Sequence, residues 1–393
     1  MQREEKMKNQ ICKLVFAIYF VFTLCFYSFS NQNIENYFNE IDPQRHINRM
    51  YNKDLKNKLS ENVIKYEDIE DLISLYNPEI LNLWNNWENN KSSNDVYNDY
   101  MNAADNLYDS ASGQESAMQE GMLYAQADAM RIQADKNVSD SYTNFLTNYL
   151  SEKQLTLSTK ILFLNYQKSL YDIQSANLAV EDAIRNEETA LNALNYGSGT
   201  QIEYLTAKKS TIDAKSNLLL SESSSKTYLR NLIANCGKDS SDLIYVHPIL
   251  LNDAINANNI SLNNDYEIAL KNSIQYEIYK RKLENARTDE VKREYEVLVN
   301  AAPQNLYTDL ELKYQNILDA LDSDYNALVA LSLVTDNYEK ANNEYSNGNI
   351  SVKELKKADY NLSIAKLNVQ SSKHNLKIAI ENYNYVVLGF GNC

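Results

Sequence analysis

Proline and glycine are almost missing from this chain: four of one and eight of the other in 393 residues. None of the prolines (Pro43, Pro78, Pro248, Pro303) falls between residues 79 and 247. Proline breaks helix interiors and sheets need frequent turns, so a long Pro-free, Gly-poor span excludes a many-stranded fold and argues for long helices. Cysteine is equally sparse. Two of the four lie in the first 30 residues, and Cys236 and Cys393 alone do not make a disulfide framework, although a single bridge between them stays open. The three histidines, His46, His247 and His374, are far apart. There is no HExxH, CxxC, nucleophile elbow or Gly-rich phosphate loop. Paired carboxylates fall on polar helix faces, where solvation accounts for them. The sequence therefore gives no catalytic residue, metal site or cofactor.

Basic residues are also in deficit, 38 Lys and Arg against 53 Asp and Glu, for a formal charge of −15. Four of the basic residues (Arg3, Lys6, Lys8, Lys13) precede Leu14–Phe29, sixteen uncharged and mostly apolar residues that end in the small-x-small pattern Ser28-Phe29-Ser30. Sixteen residues is short for a bilayer span, so residues 1–30 are expected to be a cleaved signal peptide; an uncleaved N-terminal anchor is the other reading. Without them the charge goes from −15 to −17. Such a chain repels nucleic acid and anionic lipid heads, and a conduit lined by it would favour cations. Thirty tyrosines suit a coding bias as well as a function and define no site.

Sliding the sequence along itself by 151 residues aligns Ala176–Arg230 with Ala327–Glu381 without a gap. Identical pairs include Glu188/Glu339, Gly197/Gly348, Glu203/Glu354, Ala207/Ala358, Ala214/Ala365 and Lys226/Lys377. A duplication of this length sets the architecture. The expected division is a signal at 1–30, short helices over 31–90 (around 63–76 and 80–87), one helical repeat over 91–240 and a second over 241–393. Each repeat is expected to be a helical hairpin preceded by a further helix, at Val96–Ala134 in the first and Tyr266–Val299 in the second. Residues 239–254, with Pro248, join the halves as an irregular segment or short strand.

In the rising arm of the first hairpin, Ile173, Ala176, Val180, Ala183, Glu187, Ala190 and Leu194 recur in steps of three and four, as do Asp324, Ala327, Leu331, Val334, Tyr338, Ala341 and Tyr345 in the second. These are heptad seams. In the second descending arm, Leu355, Leu362, Val369, Leu376 and Tyr383 form one seven-residue row and Ala358, Ala365, Ser372 and Ala379 another, large against small. The first copy keeps Tyr204, Leu218 and Leu232 but interrupts the row with Thr211 and Ser225. Between the arms, Gly197 and Gly348 are placed to end the rising helix in the left-handed conformation. Three residues on, Thr200 and Ser351 can cap the next helix, and Glu203 and Glu354 complete a capping box.

A duplicated chain of long helices with two such turns resembles the TolC-type outer-membrane efflux proteins, over about residues 90–390. Gly197 with Thr200, Glu203, Tyr204 and Ala207, and Gly348 with Ser351, Glu354, Leu355 and Ala358, carry the resemblance. It implies a homotrimeric α-helical barrel whose hairpin tips dock a membrane-fusion adaptor belonging to an inner-membrane pump. On it Gly197, Ser198, Gly199, Thr200, Gly348, Asn349, Ile350 and Ser351 form the docking tips, and Glu203 and Glu354 stand beside the constriction, although the same glutamates read equally as caps. One departure follows from length: the family inserts two membrane-spanning strands per repeat, each needing nine to eleven residues, and the matching places here, Ala134–Thr143 and Asn300–Tyr307, are too short. The alternating run Gln154–Leu162 reads as helix. The expectation is thus an all-α duct component lacking membrane strands, standing in the cell envelope. The alternative is an exported coiled-coil structural or interaction protein with no channel.

Overall fold

The computed structural model describes residues 41–59, 62–89, 95–137, 140–239, 243–249, 251 and 260–393; the expected signal segment lies outside them. Residues 1–46 and 47–393 form two compact units. Of the first, only residues 41–46 are described, including the start of helix α1 (Pro43–Met50). The second begins with α2 (Lys53–Lys58), strand β1 (Val63–Ile64), α3 (Ile69–Tyr76) and α4 (Pro78–Asn89). There follow α5 (Asp95–Ala111), α6 (Ala117–Lys136), α7 (Ser141–Asn195) and α8 (Gln201–Asn235). Strand β2 (Tyr245–Val246) leads to α9 (Leu262–Asn272), α10 (Ile274–Asn285), α11 (Asp289–Ser346) and α12 (Val352–Tyr385).

Four long helices dominate, and the two hairpins they form are in register with the sequence repeat. The rising helices end at Asn195 and Ser346, and the descending ones start at Gln201 and Val352, each pair 151 residues apart. At 1.5 Å per residue, the 55-residue α7 is about 80 Å long. Packing places the helices in the order α8–α7–α12–α11, so α8 and α11 are the two edges. The large-against-small rows of α12 are buried as the spacing predicts: Leu362, Val369, Leu376 and Tyr383 on one row, Ala365, Ser372 and Ala379 on the other. In the interrupted row of α8, Thr211, Ser225 and Leu232 are buried and Tyr204 and Leu218 half-buried; the two hydroxyls can bury because they find partners. Thr211 donates to the Ala207 carbonyl at 3.3 Å, and Ser225 accepts from Ser169 of α7 at 2.9 Å. Gln154–Leu162 lies within α7, and α11 runs through Pro303 without a strand.

Two expected helices are instead broken. The stretch 96–134 is a second, smaller hairpin, α5 and α6, turned at 112–116. The heptad stripe Ala104, Ala111, Met118 runs across the turn, which is why periodicity alone reads as one helix. Ser112-Gly113 ends it, and folding back lets Ala104 and Ala111 bury, as Ala127 does. Tyr108 packs on Tyr124 at 5.6 Å between ring centroids, and Arg131 lies over the Tyr108 ring. The stretch 266–299 breaks at Ser273 and again at 286–288. Ser273 is extended and caps α10 by accepting from the Tyr276 N–H at 3.2 Å.

The short helices α3–α4 and α9–α10 occupy matching places in the two halves. Asn77 joins the first pair and caps α4, its Oδ1 accepting from the Glu79 and Ile80 N–H groups. Gly237, at φ +63°, passes so close that a Cβ would stand 2.1 Å from the Tyr76 carbonyl oxygen. Gly389, at φ +91°, does the same at the second pair, 2.0 Å from the Asn272 carbonyl oxygen. Tyr76 and Asn272 are 196 residues apart, against 151 for the hairpins. The 45 extra residues of the first half correspond to the α5–α6 hairpin and its connections. It sits between the short helices and the long rising helix, and ends at the start of Ala134–Thr143, the place where the resemblance pointed to membrane strands.

The join between halves is a short strand, as one of the two readings had it. β1 and β2 pair in parallel, with Tyr245 N–H donating to Asn62 and His247 N–H to Ile64, both at 2.9 Å. Among the described residues these are the only strands, and no described helix is long and apolar enough to cross a membrane. Cys236 and Cys393 are both free. Cys236 is fully buried, which pushes its thiol up to about 12, and Cys393 Sγ lies 2.9 Å from Ser273 Oγ.

Candidate functional site at the hairpin tips

Both tips fold through the same local chemistry. Gly197 and Gly348 take φ +74°, the left-handed conformation that costs glycine nothing. Two backbone bonds then close each helix end. Gly197 N–H donates to Leu194 and Ser198 N–H to Ala193, at 3.0 and 2.9 Å. Gly348 N–H donates to Tyr345 and Asn349 N–H to Glu344, at 2.9 and 2.8 Å. This is the Schellman pattern, which satisfies the last free carbonyls of the helix.

The next helix starts from a reciprocal box. Thr200 Oγ1 accepts from Glu203 N–H at 3.2 Å while Glu203 Oε2 accepts from Thr200 N–H at 2.7 Å. Ser351 Oγ accepts from Glu354 N–H at 3.3 Å and Glu354 Oε2 accepts from Ser351 N–H at 2.8 Å. Hydrogen bonds from the cap N–H and hydroxyl hold both carboxyls below the ordinary range. The glutamates therefore stay ionised at neutral pH and are engaged as caps. The largest change in side chain between the two tips is at Gly199, which is Ile350 in the second. A Cβ at Gly199 would come within 2.9 Å of the Ala193 Cβ, whereas the second tip carries Glu344 at the position matching Ala193.

Gly197, Ser198, Thr200, Gly348, Asn349 and Ser351 are exposed, with Gly199 and Ile350 half-buried. At neither Gly197 nor Gly348 does anything stand within 4 Å of where a Cβ would be. The tip surface is open and mostly polar, with Tyr196 standing 86% exposed beside it.

Spacing did not pick out the groove that lies between α7 and α12 just above the tips. It is an open cavity of about 520 Å³, bordered by Asp182, Arg185 and Glu188 on one side and Lys353, Lys356 and Lys357 on the other. Lys357 Nζ reaches Asp182 at 2.9 Å, tying the two hairpins together. Burial alone would raise the Asp182 carboxyl, but the hydrogen bonds and charges of Lys357 and Arg185 hold it below the usual range. Three lysines in the first two turns of α12 were the visible signal for this groove. No group of three or more metal-ligating side chains comes together among the described residues.

No protein-family model and no curated protein matches the sequence. Solved structures do match. A membrane protein from Pseudomonas aeruginosa superposes with a TM-score of 0.55 over 82% of this chain and 90% of its own, at 9% identity. CusC, a protein that forms a transmembrane channel, gives 0.54 over 83% and 92%, at 11% identity. The Neisseria gonorrhoeae MtrE outer membrane channel in its open state gives 0.51 over 82% and 88%, at 10% identity. At these identities the likeness is one of architecture, and the chain has the fold of the TolC-type outer-membrane channels.

Proposed function

We propose that this chain is a passive exit duct of the cell envelope, working in a tripartite efflux or secretion system. Three copies would close into a tube of twelve helices. The reading rests chiefly on one observation: both hairpin tips keep the same exposed, capped turn at the same place in the repeat, on the architecture of outer-membrane channels. Gly197, Ser198, Gly199 and Thr200, with Gly348, Asn349, Ile350 and Ser351, would dock the hairpins of an adaptor protein that belongs to an inner-membrane pump. Glu203 and Glu354 would stand at the constriction as fixed negative charges, which favours cations there.

A second reading, an exported coiled-coil interaction protein without a channel, draws on the helical hairpin α5–α6. It is strongly acidic, with seven carboxylates and no basic residue over 95–130, and it stands between the short helices and the long rising helix α7. The test that separates the two is the native mass of the purified chain by light scattering. Three copies per particle are expected of a duct, and a monomer that stays a monomer when mixed with its adaptor would defeat it.

A further inference from the structure

Helix α6 has two apolar faces, and the fold fills only one of them. Ala127 and Ala134 are fully buried on one side. Met118, Met122, Ala125, Ala129 and Ile132 recur in steps of four and three, which at about 3.6 residues per turn sets them on the opposite side. Ile132, at the base of the hairpin, packs on the cluster of Ala286, Val291 and Tyr295 from the second half of the chain. From there the row continues away from that interface over open surface. Ala129 and Ala125 are exposed, and Met122 and Met118 are exposed by 56 and 77%. A surface helix ordinarily turns charge to the solvent, yet this face carries none.

Gly121 lies on the same face, inside α6, where glycine weakens a helix. Nothing stands within 4 Å of where its Cβ would be, so no part of this chain needs the room it leaves. With Ala125 and Ala129, one and two turns on, it leaves the backbone of α6 open to close approach. Methionine beside it is the side chain that adapts most easily to an incoming apolar surface.

Around this uncharged face the hairpin is acidic, with seven carboxylates over 95–130. Its two cations are already engaged: Arg131 pairs with Asp105 at 3.5 Å and Lys136 with Glu294 at 2.7 Å. Asp99, Asp109 and Glu115 are exposed. The hairpin of a second copy carries the same charge, and anionic lipid has the same sign, so both are repelled.

We propose that this face of α6 docks an amphipathic helix of a basic partner protein. Apolar side chains of that helix at heptad spacing meet the row from Met118 to Ala129, its backbone comes close at Gly121, and its lysines and arginines meet the carboxylates of the hairpin. The row continues an interface that Ile132 already makes within the chain, and its length, about 17 Å from Met118 to Ala129, is that of three helical turns. The site stands at the start of α7, a helix of 55 residues whose other end is the tip, and it does not depend on the duct reading.

The full chain is titrated with two synthetic helical peptides, one with leucine at the heptad core positions and lysine elsewhere, the other with glutamate in place of the lysine. Wild type is expected to bind the lysine peptide alone, with amide hydrogen exchange slowed over 117–130. Met118→Gln with Met122→Gln keeps the net charge and the helix content and should bind at least about tenfold more weakly. Gly121→Gln meets no neighbour in the free chain, so it should leave the fold intact and still weaken binding. Equal binding by wild type and the double glutamine variant would reduce the attraction to bulk charge and overturn the docking face. Equal binding of both peptides overturns the basic partner. No binding by wild type, or protection confined to another part of the chain, overturns the proposal as a whole.

Discussion

Asp135, in the last turn of α6, caps a helix in the other half of the chain. Its carboxylate accepts from the backbone N–H of Arg287 at 2.9 Å, and from the N–H and hydroxyl of Thr288 at 2.6 and 2.7 Å. These are free donors at the start of α11, and Asp135 is only 3% exposed. A few residues on, Asp140 caps α7 by accepting from Thr143 N–H at 2.7 Å, and it also accepts from Asn285 of α10 at 2.9 Å. The first half thus closes the start of α11, and the second half holds the residue that caps α7, both opposite the tips.

Asp135→Ala would leave the Arg287 and Thr288 N–H groups without their acceptor. The expected loss is about 2 kcal/mol, with Asp135→Asn losing less because its amide oxygen still accepts. Hydrogen exchange at 287–291 should rise with it. An unchanged unfolding midpoint in Asp135→Ala would mean water replaces the carboxylate at no cost.

The tip glycines and the inner glycines are expected to behave in opposite ways. Gly197→Val with Gly348→Val meets no neighbour, so its cost is the left-handed backbone alone, about 1–2 kcal/mol per site. Helix content should hardly change, while adaptor-dependent export stops. Normal export by this double variant sinks the docking assignment. Gly237→Ala or Gly389→Ala instead drives a methyl into the Tyr76 or Asn272 carbonyl, 2.1 or 2.0 Å away. Those variants should lose cooperative unfolding by circular dichroism.

Glu70 predicts an acid limb in stability. It is two-thirds or more covered and burial alone would raise it, but Lys153 at 2.5 Å, with Arg49 and Lys160, holds it down to about 2. A depressed carboxylate stabilises the fold fully above the ordinary carboxylate range and loses that contribution as pH falls from about 4.5 toward 2. Wild type should therefore exceed Glu70→Gln by up to about 3 kcal/mol at neutral pH. The gap should shrink through that window, and a gap that is constant from pH 6 to 2.5 would refute the ion-pair origin.

How much of this was legible in the sequence follows from which forces are local. The tips were, because glycine, cap and glutamate act within seven residues and leave a spacing that repeats. The rows of α12 were, because burial on a long helix writes a heptad, while the seams expected on α7 and α11 are at most half-buried in the single chain. The α5–α6 turn was not, since Ala104, Ala111 and Met118 keep the heptad across it and Ser112-Gly113 is a weak stop. The kinship of α3–α4 with α9–α10 was also hidden. It rests on Gly237 and Gly389 meeting carbonyls far away in sequence, and the 45 extra residues throw the two halves out of register. The tie of Lys357 to Asp182 spans 175 residues, and no spacing marks it.

The α5–α6 hairpin should be removable. The second half passes from α10 to α11 through three residues, Ala286-Arg287-Thr288, and still builds its long helix. Replacing residues 90–139 of the first half by that tripeptide keeps Asp140 as the cap of α7 and discards α5 and α6 whole. Thr288 loses Asp135 but retains its own cap bond to Val291 N–H at 3.4 Å. The shortened chain should fold cooperatively, with a lower unfolding midpoint and with the hairpins α7–α8 and α11–α12 protected from exchange as before. If it does not fold, the hairpin is part of the core and not an addition to it. If it folds and still assembles as the parent does, the acidic hairpin plays no part in assembly.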